Sequence, residues 1–178
     1  MQNDSALAAA SKRLIGPNIA TGDWTPEMVW NTGFVQDYAP NLAALAVQHY
    51  VSSYCFADVS AQDIFHEFLI HTGVVEFIQP YLNSAGIAQA AGIPFMMQET
   101  NSASCGGIPG ISDSFGAALW AIDYALQMAY SNFSGAFFHI SGQNATYNAF
   151  TGTFSSIRPL QTVTHLLFFA SSTPTTLG

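Results

Sequence analysis

With 178 residues the chain has room for one domain with a substantial core, yet 49% of it is hydrophobic and only 8% is charged, against roughly 25% charged in ordinary globular domains. Its three basic residues, Lys12, Arg13 and Arg158, leave a formal net charge of -8, which excludes partners that need basic patches, nucleic acid and anionic membrane surfaces alike. No stretch reaches the roughly 20 apolar residues of a membrane span; His165 interrupts the best candidate, Leu160 to Ala170.

So much apolar sequence expects burial in its own core or against another body. Residues Met1 to Ala10 lack the basic and apolar regions of a signal peptide. Sequons for N-glycosylation occur at Asn3, Asn132 and Asn144, a number that chance supplies in a chain rich in Ser, Thr and Asn. Cys55 and Cys105 are too few for a disulfide framework, and either pair or are buried thiols.

Four apolar runs read as buried strands. The first is Arg13 to Ile19, after which Thr25-Pro26-Glu27 reads as a helix start, with a cap, Pro at the first helical position and an acid in the first turn. The second strand is Leu42 to Val47. Ser60 then caps a segment whose Ile64, Phe65, Phe68 and Leu69 recur at helical period, with Asp63 at the capping-box position. Val74 to Ala91 is helical apart from a break expected at Pro80. The third strand is Ile93 to Met97. A long helix follows over Ser112 to Tyr130, where Phe115, Ala118, Leu119, Ile122, Leu126 and Ala129 keep one apolar face. The fourth strand is Gly135 to Ile140. Residues 155–178 fit neither a strand–helix unit nor a linker.

Continuous apolar strands alternating with helices define an α/β fold with a parallel sheet. Four strands are compatible with an open sheet or with half of an eight-fold barrel. In either architecture active residues sit at the C-terminal ends of strands. Those ends carry Asn18, Gln48-His49-Tyr50, Gln98-Glu99-Thr100-Asn101 and His139.

Glu99 follows Pro94-Phe-Met-Met without a break, so it sits at a strand tip before a Gly-rich loop. A carboxylate there is costly unless functional or hydrogen-bonded, for instance as a cap on the following loop. The run Cys105-Gly-Gly-Ile-Pro-Gly110 lacks the Lys-Ser/Thr and GxGxxG features of phosphate loops. His66 and His71 are five residues apart, about 140° around a helix, and cannot share a metal. There is no GxSxG nucleophile elbow. Carboxylate, amides, His49, His139, Tyr50 and Tyr147 near one set of strand ends suit a sugar, with polar groups for hydroxyls and rings for its apolar face.

The segment from Glu99 through Cys105-Gly-Gly-Ile-Pro-Gly-Ile-Ser-Asp-Ser-Phe to Tyr124 is similar to the nucleophile region of glycoside hydrolase family 79, the β-glucuronidases and heparanase-like enzymes, and resembles its fungal members most. Weaker similarity runs from Arg13 to Phe150, through Gln48-His49-Tyr50 and Phe137-Phe-His139. The resemblance implies a partial (β/α)8 TIM barrel, the four parallel strands being the fifth to eighth of the barrel with their helices. Residues 1–154 form that C-terminal half, and 155–178 are a tail unmatched to the family and expected to be disordered. It implies Glu99 as the nucleophile of a retaining glycosidase, and Tyr50 with the amides near Ser104 and Gly106 as the pocket for a uronate carboxylate. His139 and Tyr147 become further sugar contacts, with no metal and no cofactor. Cys55 and Cys105 then lie on neighbouring loops at the barrel top, where a disulfide fits. The resemblance also implies a carbohydrate partner of glucuronide type and a secreted parent family.

The chain departs from the family in having no Asn-Glu-Pro motif for the acid/base, so it is expected to be inactive alone. Its open barrel edges are expected to favour self-association. The alternatives are a non-catalytic α/β carbohydrate-binding module and a pseudoenzyme.

Overall fold

The computed structural model describes residues 14–20, 24–52, 60–140, 145–147 and the backbone of 165–168. Four strands, β1 (Leu14–Ala20), β2 (Leu42–Ser52), β3 (Phe95–Ala103) and β4 (Gly135–Phe138), are parallel and adjacent in chain order. The sequence reading placed all four. β2 and β3 run several residues further than the apolar runs, because their polar ends continue the ladder into the loops.

Between β1 and β2 lie α1 (Pro26–Trp30) and α2 (Phe34–Tyr38). Thr25 caps α1 by accepting from the Met28 N–H, and Pro26 takes the first position, as its sequence prescribes. Between β2 and β3 lie α3 (Ala61–Ile64), a 3-10 turn (Phe65–Leu69), α4 (His71–Ile78) and α5 (Leu82–Ala90). Pro80 breaks the predicted helix into α4 and α5 through a 3-10 turn at Gln79–Tyr81. Ser60 occupies the N-cap of α3, but its side chain makes no capping bond.

The helix α6 (Phe115–Tyr130) begins three residues later than predicted, capped by Ser114, whose hydroxyl accepts from the Ala117 N–H. Its buried face is Ala117, Trp120, Tyr124 and Met128, while Phe115, Leu119, Ile122 and Leu126 of the predicted apolar face are exposed. A helix that is apolar nearly all round does not announce in its sequence which face packs inward.

Sequential parallel strands joined by crossovers of one hand put the helices on one side of the sheet, the arrangement of a barrel rather than of a doubly wound sheet. One core accordingly joins Leu45, Val47, Phe95, Met97 and Phe138 of the strands to Trp30, Phe68, Ile78, Tyr81, Trp120, Tyr124 and Met128. Trp120 stacks on Tyr124 at 5.0 Å and meets Phe68 and Phe138 edge-on.

A fifth strand, β5 (His165–Phe168), pairs antiparallel with β4, Gly135 opposite Phe168 and Phe138 opposite His165. It lies in the segment that the sequence reading left outside any strand–helix unit. An antiparallel neighbour needs no crossover helix, so strand–helix alternation gives no sign of it.

Candidate active site

The two central strands aim their ends differently, and a bulge makes the site. In β2, Leu45 and Val47 are buried in the core and His49 stacks on Phe77 of α4 at 4.0 Å, so alternation sends Gln48 and Tyr50 to the opposite side. In β3, Met97 is buried in that same core. Three residues on, the Thr100 hydroxyl meets the Tyr124 hydroxyl of α6 at 3.4 Å, so Thr100 also faces the helices. An odd spacing between two residues on one face requires an extra residue. The register supplies it, stepping from Val47 opposite Met97 to Gln48 opposite Glu99 and leaving Gln98 unmatched. The bulge turns Glu99 to the side that holds Gln48 and Tyr50. Without it Glu99 would share the helix-packed face of Met97.

β1 is irregular at the same height. Its register steps from Pro17 opposite Ala46 to Ile19 opposite Val47, and Asn18 between them has φ 57°. The Asn18 amide donates to the Gln48 side-chain oxygen at 3.2 Å, joining the ends of β1 and β2. Both bulge residues, Asn18 and Gln98, hold a buried amide oxygen without a hydrogen-bond partner.

At the tips, the Tyr50 hydroxyl donates to Glu99 Oε1 at 2.6 Å. Burial and then this bond to a carboxylate hold the Tyr50 phenol protonated, far above its usual range. His139, directly after β4, brings Nδ1 to 3.8 Å from the same Glu99 oxygen. Asn101 ties the ends of β3 and β4 together by donating to the His139 carbonyl, while its own oxygen accepts from the Ser102 N–H. Tyr147 completes the group, its ring 5.4 Å from His139 and 6.4 Å from Tyr50.

The loop after β3 holds Tyr147 in place. The Gly106 N–H donates to the Tyr147 hydroxyl oxygen at 3.0 Å, and the Gly107 N–H also points at it. Burial raises the Tyr147 phenol, and these two amides partly offset that. Thr146 closes on the Gly106 carbonyl with its N–H and its hydroxyl. Gly107, at φ 83°, has Ser112 Oγ and Thr146 Oγ1 2.6 Å from where a Cβ would stand, so the approach demands glycine. At the same strand ends a cleft of about 400 Å³ is lined by residues 48–52 of β2 together with Ala20 and Ser104.

The structure thus brings Glu99, Tyr50, His139 and Tyr147 together, with Ser104 on the cleft wall and Gly106 engaged by Tyr147. Tyr50 touches Glu99 itself. His49 does not join them: it lies on the helix side, wedged against Phe77 and Tyr81, and burial lowers its pKa to about 4. Cys105, at φ 57°, is disulfide-bonded, and Cys55 lies outside the described residues. Asn132 is exposed on the turn that feeds β4, at the opposite end of the strands from Glu99, and Asn3 and Asn144 fall outside the described residues. Sequence reasoning did not single out Gln48 as a site residue. Its i, i+2 spacing from Tyr50 was the available signal.

A tyrosine-bonded carboxylate and aromatic rings thus stand at the C-terminal ends of a parallel α/β sheet, where barrels of this kind place their active residues. No protein-family model matches the chain. The chain is 32% identical over 145 residues to a β-glucuronidase of Aspergillus niger, covering 78% of this chain and 25% of that protein. It is also 32% identical over 119 residues to a β-glucuronidase of Neurospora crassa, covering 66% of this chain and 21% of that one. Among solved structures, a 4-O-α-L-rhamnosyl-β-D-glucuronidase from Fusarium oxysporum in complex with Rha-GlcA superimposes with a TM-score of 0.61 at 26% identity, over 74% of this chain and 27% of the other. The chain is therefore related over most of its length to fungal β-glucuronidases, in support of the family 79 resemblance, and by that resemblance it is of glycoside hydrolase type. It spans about a quarter of the length of the relatives it matches.

Proposed function

We propose that Glu99 is the nucleophile of a retaining β-glucuronidase-type hydrolysis, and that this chain supplies the half of a barrel site that carries it. The observation behind the reading is the 2.6 Å bond from Tyr50 to Glu99 at the bulged tip of β3. Glu99 attacks the anomeric carbon as the glycosidic C–O bond breaks, forming an ester to the sugar, and the leaving oxygen takes a proton from the acid of the other barrel half. Water deprotonated by that same group later cleaves the ester and frees Glu99 as a carboxylate. Tyr50 holds one carboxylate oxygen in place, leaving the other to attack. As Glu99 loses its charge in the ester, the bond from Tyr50 weakens and the phenol follows the charge.

Lys12, Arg13 and Arg158 all lie outside the described residues, so no described Lys or Arg meets a uronate carboxylate. In this reading Tyr147, Ser104, the Gly106 amide and His139 take it, the amide exchanging Tyr147 for substrate. Cys105 sits between Ser104 and Gly106, and Cys55 is the other cysteine of the chain, so their disulfide would tie the segment that follows β2 in sequence to the loop after β3. Secretion, which the family resemblance implies, suits such a bond.

A retaining enzyme needs a second carboxyl roughly 5 Å from the nucleophile. The other described carboxylates have work elsewhere or lie on helices. Glu27 takes bonds from Asn83 and Ser84, Asp113 takes the Gly110 N–H, and Asp123 pairs with His71. With no Asn-Glu-Pro motif in its sequence, the 178-residue chain is expected to hydrolyse little or nothing by itself, and the edge of β1 is where further barrel strands would pair. The test is an assay on an aryl β-glucuronide of this chain and of the chain extended upstream in its reading frame. Cleavage by the extended chain alone, abolished by Glu99→Gln, supports the proposal. Cleavage by the 178-residue chain, or full activity in Glu99→Gln, rules it out. That no second carboxyl stands beside Glu99 among the described residues also favours a binding-only reading, in which glucuronate binds this chain equally well with Glu99→Gln and no extension cleaves.

A further inference from the structure

The outward face of α6 carries a feature that the strand-end site does not use. Phe115, Leu119, Ile122, Leu126 and Tyr130 fall within about 80° of one another at 3.6 residues per turn, and they are 75%, 49%, 57%, 64% and 84% exposed. The strands and the turn at Phe65–Leu69 pack on the other faces of this helix, through Trp120, Tyr124 and Met128 on one side and Gly116 against Phe65 on another. No described strand or helix covers this outermost stripe.

Read along the helix, the stripe is aromatic, Leu, Ile, Leu, aromatic, spaced four, three, four and four residues apart. That order is nearly the same from either end. A two-fold axis through Ile122, perpendicular to α6, sets Ile122 against its own copy, Leu119 against Leu126 and Phe115 against Tyr130. Self-complementarity of this kind is what an isologous interface requires. The stripe itself carries no charge, because the one charged residue of α6, Asp123, stands at its border and pairs with His71 at 2.9 Å. The two rings and three aliphatic side chains offer roughly 600 Å² per copy, about 1,200 Å² over the pair, the lower limit for a specific interface.

We propose that two copies of this chain pair antiparallel through the outward face of α6. This pairing is independent of the proposed glucuronidase site and distinct from association through the β1 edge. Sedimentation velocity on the full 178-residue chain tests it, with Leu119→Glu/Leu126→Glu as the disrupting variant and far-UV circular dichroism as the check on folding. The wild type is expected to sediment as a dimer, and the double variant to dissociate at least about a hundredfold more readily with an unchanged spectrum. Ile122→Cys, on the axis, is expected to give a disulfide-linked dimer under mild oxidation, and Leu14→Cys on the β1 edge is not. A monomeric wild type overturns the proposal, since the stripe would then await a different protein surface. So does a dimer that survives the double substitution, or cross-linking that favours Leu14→Cys, which also decides the matter for a variant that misfolds or a chain that forms larger species.

Discussion

The two sides of the sheet's C-terminal half obey different rules. On the helix side, Val47, Met97, Thr100 and Phe138 meet Phe77, Trp120 and Tyr124 in a continuous aromatic layer, and even the hydroxyls of Thr100 and Tyr124 meet each other. On the other side, one residue away along each strand, Gln48, Tyr50 and Glu99 form a polar row beside an open cleft. The difference shows how one backbone carries both tasks. The packed side fixes the strands to within fractions of an ångström, and the polar side uses that rigidity to hold a carboxylate against a phenol.

If that division holds, substitutions on the helix side should cost stability, and those on the polar side should cost activity. The largest effect is expected for Trp120→Ala, which removes the ring stacked on Tyr124 and packed against Phe68 and Phe138. Denaturant unfolding should show a loss of about 3–5 kcal/mol.

Tyr50→Phe crosses the comparison in the other direction. It deletes one bond to a charged group on the polar side, so the extended chain should lose about 1.5–3 kcal/mol of barrier lowering, roughly ten- to a hundredfold in rate. The same variant should unfold within about 1 kcal/mol of wild type. A stability loss as large as that of Trp120→Ala would erase the distinction between the two sides.

His49 probes the boundary. In the folded chain burial holds its pKa near 4, against 6.5 when exposed. The unfolded chain therefore binds the proton first as pH falls. Its contribution to stability is complete above pH 6.5 and is lost progressively on acidification toward pH 4, on the order of 1–2 kcal/mol after discounting for partial exposure. His49→Phe keeps the ring against Phe77, removes the unpartnered buried Nδ1 and should flatten unfolding free energy across that window. The smallest effect is expected at the end of α6. Ser114→Ala removes the bond to the Ala117 N–H, a loss of about 1 kcal/mol in unfolding with no change in glucuronide hydrolysis by the extended chain.

Much of this was legible in the residues. The four strands, the Thr25-Pro26 helix start and the break at Pro80 rest on local chemistry, apolar runs and proline's missing N–H, which act whatever the rest of the chain does. Glu99 was legible as a strand-end carboxylate, and its surrounding segment carried the family resemblance. The inward face of α6 was not. Its sequence is apolar nearly all round, and only the positions of β3, β4 and the turn at Phe65–Leu69 select Trp120 and Tyr124 over Leu119 and Ile122.

What the sequence determined by itself was the four parallel strands with the main helices between them, their order, and that a carboxylate ends the third strand. Tertiary structure alone decided which way that carboxylate points. Strict alternation from Met97 would have sent Glu99 into the helix layer, where an unpaired charge is costly. The extra residue at Gln98 is visible only when β3 is laid beside β2, because a bulge is a property of the pairing of two strands and not of either one.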